Sequence, residues 1–506
     1  MWLLKQKSDL FSLLAILIAV PLIVPLLHPG VFVTDDLEWM IIRFSAFHQA
    51  VVDGQIPVRW LGRLNHEYGY PVVNFNYPAF LYIAEIPKFF GFGFISSIKF
   101  ILGASVVFGS LFTYLWLKRR FDVWGSFVGT CFYLYAPYYL FDLYKRGSLG
   151  EVMALAVAPF ILYQIERRSL LWSSIGIAGL VLSHNILAAL FLPVIAIYGF
   201  LRKVSSIKYL VTSILLGLGM SAFFWIPAIF DLQYTKFFET RVSLWEDHFA
   251  NFSLLGLASF LILPSAFAAL RKRGREPVVW FFLLVASVAV VLSFPVATPV
   301  WQILPVSFIQ FPFRLLSLVV VAGAFLTAFF LGAVEEKRTI AAGIFLIIII
   351  LFSARTFILP SGYVDKGEGF YATNEHSTAI HDEYMPKWVE VVPNERPSRK
   401  VEIEASIGKA ENIVARKNAV TFTAAMNQEG SAEINIIYFP GWKAFVDGKK
   451  TMIDFKNERG IMKISIPAGE HVVSLRFGET PLRLASDSIS IGSLFLLLFA
   501  VRRRRK

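Results

Sequence analysis

The hydrophobic pattern of the chain is dominated by long apolar runs that are separated by short polar segments. A helix needs about 20 predominantly apolar residues to cross the hydrocarbon core of a bilayer. The pattern therefore predicts an α-helical polytopic membrane protein with about twelve transmembrane helices. The predicted helices lie near residues 10–28, 96–117, 124–142, 150–165, 169–183, 186–202, 207–228, 251–270, 277–295, 313–334, 339–356 and 486–501.

The pattern changes between residues 357 and 485, where apolar and polar positions alternate. Alternation with period two is typical of strands that have one buried face, and the pair Asp447-Gly448 is typical of a tight hairpin. We therefore expect a small external β-sandwich-like domain, with strands at AVTFTAAM, AEINIIYF, IMKISI and HVVSLRF. The expected order is a multi-span membrane domain at 1–356 with a large external loop at 29–95, the β-rich domain at 357–485, and a last helix with a basic tail at 486–506.

Basic residues are concentrated in short segments between the apolar runs. Short loops rich in Lys and Arg face the cytoplasm, and a chain that starts inside places every cluster there. This predicts a multi-pass plasma-membrane protein with both termini cytoplasmic and residues 357–485 external. The first run lacks the small-residue cleavage site of a secretory signal, so we expect it to be retained as a span. The clusters lie at 118–120, 166–168, 202–203, 271–275, 335–338 and 502–506.

Residues 78–93 interrupt this regular alternation of crossings. The segment is apolar but contains Glu85, Pro87 and Lys88. If it crossed the membrane, the basic cluster at 118–120 would lie outside. We therefore expect an external interfacial or re-entrant segment.

Composition narrows the possible chemistry. Hydrophobic residues make up 56% of the 506 positions and charged residues only 17%. The net charge of +12 is spread over the loops, which argues against a nucleic-acid partner. Cys131 is the single cysteine and excludes an internal disulfide framework. No glycine-rich phosphate loop, HExxH or GxSxG motif is present. Any reaction is therefore expected outside, with a substrate already activated in the membrane.

Asp35 and Asp36 stand together directly after the first predicted span. One interpretation is structural, because Asp at a helix N-terminus satisfies free N–H groups and suits the helix dipole. The other is functional: one carboxylate faces a cavity as a general base or as a metal ligand. Two neighbouring acids are more than one cap requires. We expect the base to be Asp35, which lies nearer the end of the span.

Further candidates lie at the predicted outer ends of other spans. Arg146 and Glu151 bracket a Gly-Ser-Leu-Gly turn, where they bind substrate or simply pair with each other. His184, between two apolar runs, is either a ligand-binding residue or a hydrogen-bonded helix end. Gln310 and Arg314 are placed to bind substrate, and Arg314 suits either bidentate phosphate binding or snorkelling to lipid headgroups.

Several motifs together resemble a known family of bacterial membrane proteins. TDD, YPAFLY, RGSLGE, LSHN, SAFFWIPAI, IQFPFRLL, IYFPGWKAFVDGKK and IPAGEHVVSLRF occur in this order along nearly the whole chain. The sequence resembles the proteins called 6-pyruvoyl-tetrahydropterin-synthase-related and their YfhO-like relatives. The family name does not imply the pterin reaction, because the eight histidines are scattered and form no three-histidine zinc motif.

The wider resemblance is to C-type (GT-C) glycosyltransferases, and it implies a GT-C-like fold and activity. By this resemblance the donor is a polyprenyl-phosphate-linked sugar, and the acceptor is an envelope glycan, lipid or protein. Asp35 or Asp36 corresponds to the acid of the first external loop and Glu151 to a second acid. The usual Asp-Glu pair is Asp-Asp here, which leaves open which carboxylate acts and whether Asp36 and Glu151 hold a divalent metal ion. The alternative is a non-enzymatic envelope lipid or glycan transporter, or an assembly factor.

Overall fold

The computed structural model describes residues 2–203, 206–240, 245–271, 276–303, 309–379 and 382–504. Part of the predicted basic clusters, residues 272–275 and 505–506, lies outside these ranges. Within them, seven helices are long and apolar enough to cross a membrane. Two further pairs of helices, bent by 66° and 86° at short breaks, raise the number to nine if each pair is one span. The seven are Asp9–Leu27, Phe94–Leu117, Leu149–Glu166, Asn185–Arg202, Pro312–Leu331, Glu336–Ala354 and Pro481–Arg503, and the bent pairs are Ile207–Met220 with Ala222–Tyr234 and Pro277–Ser293 with Pro295–Ile303.

The expectation of about twelve spans is not confirmed, because three of the predicted segments form short helices. They are Val123–Tyr135, Leu170–Ser183 and Ile262–Arg271, of 13, 14 and 10 residues. At 1.5 Å per residue, even the longest covers only about 21 Å of the roughly 30 Å hydrocarbon core. A proline explains one early end: Ala136 precedes Pro137 and is extended, with φ −60° and ψ 129°, since an α conformation before proline is disfavoured.

The segment at 78–93 forms an eleven-residue helix, Ala79–Phe89, which is too short to be a candidate span. Phe89 and Phe90 at its end are 85% and 73% exposed. Together with the longer helix Leu37–Val52, it gives the loop at 29–95 an ordered structure. Other short helices are Val20–Ile23, Pro137–Leu140, Phe237–Thr240, Phe252–Leu255, Thr298–Ile303 and Gly367–Thr373.

Ten strands form three antiparallel sheets in the described part of the chain. The strands are β1 Val31–Phe32, β2 Tyr363–Val364, β3 Val401–Ile403, β4 Gly408–Arg416, β5 Ala419–Met426, β6 Gly430–Ile437, β7 Trp442–Val446, β8 Lys449–Thr451, β9 Ile461–Ile466 and β10 Gly469–Phe477.

A five-stranded sheet has the order β4-β5-β10-β7-β8, a three-stranded sheet has the order β3-β6-β9, and β1 pairs with β2. The two larger sheets bury a common apolar core, which gives a sandwich with the predicted strands. Asp447 and Gly448 have φ of 48° and 77°, as expected for a two-residue hairpin turn.

Residues 363–373, which precede β3, pack against the first loop rather than within the sandwich. β1 pairs with β2, and Tyr371 is fully buried in the core formed by the helices. Glu368 accepts hydrogen bonds from the first amides of the long helix that starts at Phe94. The expected β-rich region at 357–485 therefore contains two parts, and its first part joins the first loop in forming a layer over the helices.

Candidate functional site

A pocket of about 440 Å³ lies where the first loop, the helix ends and the segment before β3 meet. Three candidate spans begin at this pocket. Glu151 and Arg314 belong to the first turns of two of them, and His184 directly precedes the third. Its volume is within the roughly 300–1,000 Å³ usual for small-molecule sites. The pocket is lined by Asp35, Asp36, Trp39, Met40, Arg43, Asn76, Tyr77, Phe141, Arg146, Ser148, His184, His248, Gln310, Phe311, Phe313, Arg314, Thr378, Ala379, Glu383 and Tyr384.

The two acidic residues of the first loop are held by the two residues that directly precede the Gly-Ser-Leu-Gly turn. The amide of Asp35 donates to the carbonyl of Lys145 at 3.1 Å, and the amide of Asp36 donates to that of Arg146 at 2.8 Å. Gly147 permits this approach: its φ is +64°, and a Cβ there would lie 2.6 Å from Thr34 Oγ1. Two loops that are far apart in sequence thus place Asp36 and Arg146 side by side.

Helix capping does not account for the aspartate pair. The amide of Leu37, the first residue of the helix, donates a hydrogen bond to the Thr34 hydroxyl at 3.0 Å. Asp36 occupies the N-cap position without a side-chain capping bond. The Asp36 carboxylate therefore faces the pocket, with Oδ2 3.9 Å from Arg146 Nη2.

The two carboxylates differ in environment. The side chain of Asp36 is 28% exposed, whereas Asp35 is an exposed residue. Burial raises the pKa of Asp36 above its usual value, and the neighbouring Arg146 guanidinium opposes this rise. A carboxylate with a raised pKa is a stronger base than a solvated one.

Glu151 lies behind the pocket wall and is fully buried. Its Oε1 accepts hydrogen bonds from Arg146 Nη1 at 2.5 Å and from Arg314 Nε at 2.9 Å. Tyr138 donates to Oε2 at 2.8 Å. Glu151, predicted from the sequence to bind substrate, is therefore absent from the pocket lining and instead contacts two guanidiniums that do line the pocket.

The two arginines also contact neighbouring groups. Arg146 Nη1 donates to the buried Asp142 at 2.8 Å, and Arg314 Nη1 donates to the Gln310 side chain at 3.2 Å. The ring of Phe311 lies 5.4 Å from the Arg146 guanidinium and 4.8 Å from that of Arg314. Within the described residues, Nη2 of Arg314 makes no hydrogen bond, so this one nitrogen of a fixed guanidinium is free to bind an anion.

His184 has a structural place beside this cluster. Its Nδ1 accepts a hydrogen bond from the Leu187 amide at 3.2 Å, which leaves the proton on Nε2, 3.7 Å from Glu151 Oε1. Burial lowers the pKa of His184 to about 3, so the ring is neutral at physiological pH. Its ring centre lies 4.8 Å from that of Tyr77.

The position of Arg146 bears on the hypothesis of a metal held by Asp36 and Glu151. The Arg146 guanidinium contacts both carboxylates and thus occupies the place between them that the hypothesis assigns to a metal cation. Among the described residues, no group of three or more His, Cys, Asp or Glu side chains is arranged to hold a metal. The cations that the site itself supplies are guanidiniums.

Sequence reasoning missed Arg43 and the segment that contains Thr378, Glu383 and Tyr384. Arg43 lies seven residues after Asp36, which places both on one face of a helix, so helical periodicity could have identified it. The other three residues are more than 330 positions away from Asp36, and no local signal links them to it.

Comparison with known proteins identifies the family of the chain and shows similarity to solved structures. The model of the 6-pyruvoyl-tetrahydropterin synthase related domain, described as a membrane protein, matches residues 77–358, more than half of the chain. No curated protein matches the sequence.

The solved structures that resemble the chain include two of the arabinofuranosyltransferase AftD from Mycobacteria. One is 17% identical with a TM-score of 0.48 and covers 72% of this chain, and a mutant form is 16% identical with a TM-score of 0.49 and covers 70%. In both cases the match spans 28% of the length of AftD.

Proposed function

The chain belongs to the membrane-protein family of the 6-pyruvoyl-tetrahydropterin synthase related domain, and we propose that it is a glycosyltransferase. In this proposal it moves a sugar from a polyprenyl-phosphate donor to an envelope glycan, lipid or protein on the outer face of the plasma membrane. The observation that carries the proposal is the pairing, in one pocket, of the Asp36 carboxylate with two guanidiniums fixed by the buried Glu151.

The guanidiniums suit the phosphate of such a donor. Transfer breaks the bond between the anomeric carbon and the phosphate oxygen, and the electron pair leaves with the polyprenyl phosphate. Fixed donors near the developing charge stabilise the transition state, and Arg binds phosphate oxygens in a fork geometry. Arg314 and Arg146 are already oriented by Glu151 and Asp142, so little reorganisation accompanies binding.

We assign the general base to Asp36 rather than to Asp35. The acceptor hydroxyl oxygen attacks the anomeric carbon while the carboxylate takes its proton. Asp36 is the less exposed of the two, contacts Arg146 and has the raised pKa. In this assignment Asp35, at the exposed rim of the pocket, takes no part in the proton transfer.

The orientation of the helices supports an external reaction. Three spans that begin at the pocket run towards predicted cytoplasmic clusters, which include Arg167-Arg168, Lys203 and Lys337-Arg338. By the positive-inside preference, the pocket is outside. The sandwich lies on the pocket side, because Trp60 of the first loop packs in its core against Trp442.

One observation favours the alternative of a transporter. The two bent helix pairs resemble the discontinuous helices that many transporters use at their binding sites. However, none of the residues that line the pocket belongs to either pair, so the charged site does not lie at a break. This arrangement favours an enzyme.

The test is transfer by the full-length protein in lipid vesicles, supplied with a panel of polyprenyl-phosphate pentoses and hexoses. Asp36→Asn is expected to reduce transfer by about 10²–10⁴-fold, which is typical for loss of a general base. Its melting temperature is expected to stay close to that of wild type because Thr34 supplies the cap. Asp35→Asn is the matched control and should retain most of the activity.

Full transfer by Asp36→Asn would reject the assignment of the base. Movement of the intact lipid-linked sugar across the vesicle, without any transfer product, would support the transporter.

A further inference from the structure

Arg43 is a buried cation on the wall of the pocket. It is 3% exposed and is located on the helix Leu37–Val52, whereas the two arginines that Glu151 holds lie on other elements. None of the described carboxylates lies within 4 Å of it. Burial of a charged group without an ion-pair partner costs several kcal/mol in real proteins, and the carboxylates that act on Arg43, Asp36 and Glu383, do so without an ion-pair contact.

The neighbours of Arg43 orient the guanidinium without neutralising it. Nη2 donates to the carbonyl of Thr378 and Nε donates to its hydroxyl at 3.3 Å. Nη1 contacts Met40 Sδ at 3.6 Å. One hydrogen on each of Nη1 and Nη2 has no acceptor in the described part of the chain.

The backbone of Thr378 is strained where it holds Arg43. Its φ is +61°, which is a rare conformation for a β-branched residue. Such strain is found where the surroundings impose it, commonly at ligand sites. The hold on Arg43 thus depends on a residue in an unfavourable conformation at the pocket wall.

Arg63 is a second buried guanidinium in the same layer. It is 7% exposed and donates to the carbonyls of Ala372 and Ile42 and to the Ser45 hydroxyl. It does not line the pocket. The two arginines therefore share burial and lack a carboxylate partner, and they differ in access to the pocket.

We propose that Arg43 binds a second oxyanion of the substrate, a phosphate or carboxylate distinct from the phosphate held by Arg146 and Arg314. This inference rests on the proposed function of the pocket. Arg43 is held by Thr378, whereas Arg146 and Arg314 are held by Glu151. The guanidiniums therefore belong to two separately anchored parts of the pocket wall, and we assign the second anion to a group other than the one at which the glycosidic bond breaks. It belongs either to a further part of the donor or to an acidic acceptor.

The first experiment uses inorganic phosphate as the probe and the full-length protein in lipid nanodiscs. The rise of the melting temperature with phosphate concentration is measured at constant ionic strength, since a ligand of the folded state stabilises it. If the pocket has two anion subsites, Arg43→Gln is expected to lose about half of the phosphate-dependent rise of the melting temperature seen in wild type. Arg63→Gln is the matched control and should retain all of it.

Arg43→Lys serves if the Gln variant does not fold, because it keeps the charge but loses the fork geometry. A phosphate-dependent rise smaller than that of wild type supports the second site. A full wild-type rise in either Arg43 variant would overturn it.

The second experiment identifies the source of the anion. The KM values of donor and acceptor are measured for Arg43→Lys, and one of them is expected to increase about 10- to 100-fold, as for the loss of a charge-assisted hydrogen bond. A change in the donor KM assigns the anion to the donor, and a change in the acceptor KM assigns it to the acceptor. Unchanged KM values for both would overturn the inference.

The two proposals fail in different ways. If wild type transfers no sugar but its phosphate stabilisation depends on Arg43, the anion site stands and the glycosyltransferase proposal fails. If transfer depends on Asp36 while Arg43 affects neither phosphate nor KM, only the second anion site fails.

Discussion

Two buried arginine–carboxylate clusters in this molecule have nearly the same chemistry and different surroundings. At the pocket, Glu151 holds Arg146 and Arg314. At the joint between the sandwich and the last helix, Asp231 accepts from Arg483 Nη2 at 2.7 Å and Nε at 3.0 Å.

The joint is a closed cluster. Arg483 is fully buried, its Nη1 donates to the Pro440 carbonyl at 2.9 Å, and Phe439 lies 5.5 Å from the guanidinium. Each nitrogen of Arg483 thus has a partner, whereas Arg314 has a free nitrogen in a pocket. A buried ion pair therefore indicates a functional site only when part of it remains available to a ligand.

The largest effect is expected on stability at the joint. Asp231→Asn leaves a fully buried guanidinium without its carboxylate, and we expect the free energy of unfolding to fall by about 3–5 kcal/mol. Transfer per folded molecule should be unchanged. Denaturant unfolding in detergent and transfer assays measure the two effects.

Glu335→Gln is the control for this change. It breaks the ion pair between Glu335 and Arg338, whose side chains are 74% and 78% exposed, respectively. Such solvated pairs contribute little to the free energy of unfolding. A specific loss of transfer in folded Asp231→Asn would show that the joint takes part in the reaction.

The next largest effect is expected when the arginine of each cluster is replaced by lysine. Arg314→Lys keeps the charge but cannot bind both Glu151 and a phosphate through a fork. We expect transfer to fall about 10- to 100-fold, as for loss of a charge-assisted hydrogen bond worth about 1.5–3 kcal/mol. Arg483→Lys should instead lower the melting temperature and leave the transfer rate unaffected. Equal effects of the two variants on transfer would remove the distinction.

A smaller effect is expected from glycines that adjoin the clusters. Gly147 and Gly441 have φ of +64° and +126°, and a Cβ at either would lie within 2.7 Å of a neighbouring oxygen. Alanine at each position should cost at least about 1–2 kcal/mol, the cost of a left-handed conformation. Only Gly147→Ala should also reduce transfer, since it displaces Asp36 from Arg146. The control is Gly367→Ala, where φ is +70° but the space is open.

The smallest effect at neutral pH is expected from titration of Asp36. Its pKa is raised above 3.8 by burial, so transfer should fall as the pH drops through that raised value and the base becomes protonated. Stability should move in the opposite direction. Because the folded-state pKa is higher than the unfolded one, protonation of Asp36 favours the folded protein, and this contribution is lost as the pH rises through the raised pKa.

Transfer and melting temperature are measured between pH 4 and 7 to test this sign. Arg483→Lys, which changes the joint only, should keep the wild-type pH dependence of transfer. A fall in transfer that simply follows unfolding would contradict the role of Asp36.

The local pattern of the sequence determined which segments are apolar and which are strands. Two predicted strands, Ala419–Met426 and Ile461–Ile466, match the observed bounds, because alternation and turn residues act over a few positions. The number of spans was predicted less well, because hydropathy alone does not show where a helix stops. The end at Ala136 is marked by Pro137, a local signal that the apolar run conceals. Family membership was also readable, because the motifs that support it are short and occur in order.

The candidate site was visible from the sequence only in part. Asp36, Arg146, His184 and Arg314 could be identified because a charged or polar group at the end of an apolar run is unusual. Their roles could not be ranked, because the burial that raises the pKa of Asp36 comes from residues elsewhere in the chain.

Only the tertiary structure decided how these groups are used. It placed Glu151 behind the pocket, gave the helix cap to Thr34 instead of an aspartate, and brought Thr378 to Arg43 across 335 positions. Contacts of this kind depend on how distant loops pack on the helix ends, and periodicity describes only neighbours along one element. The sequence therefore indicated the strands, most of the apolar helices and the charged groups at their ends, whereas packing sets which of these charges are closed off and which remain open to the pocket.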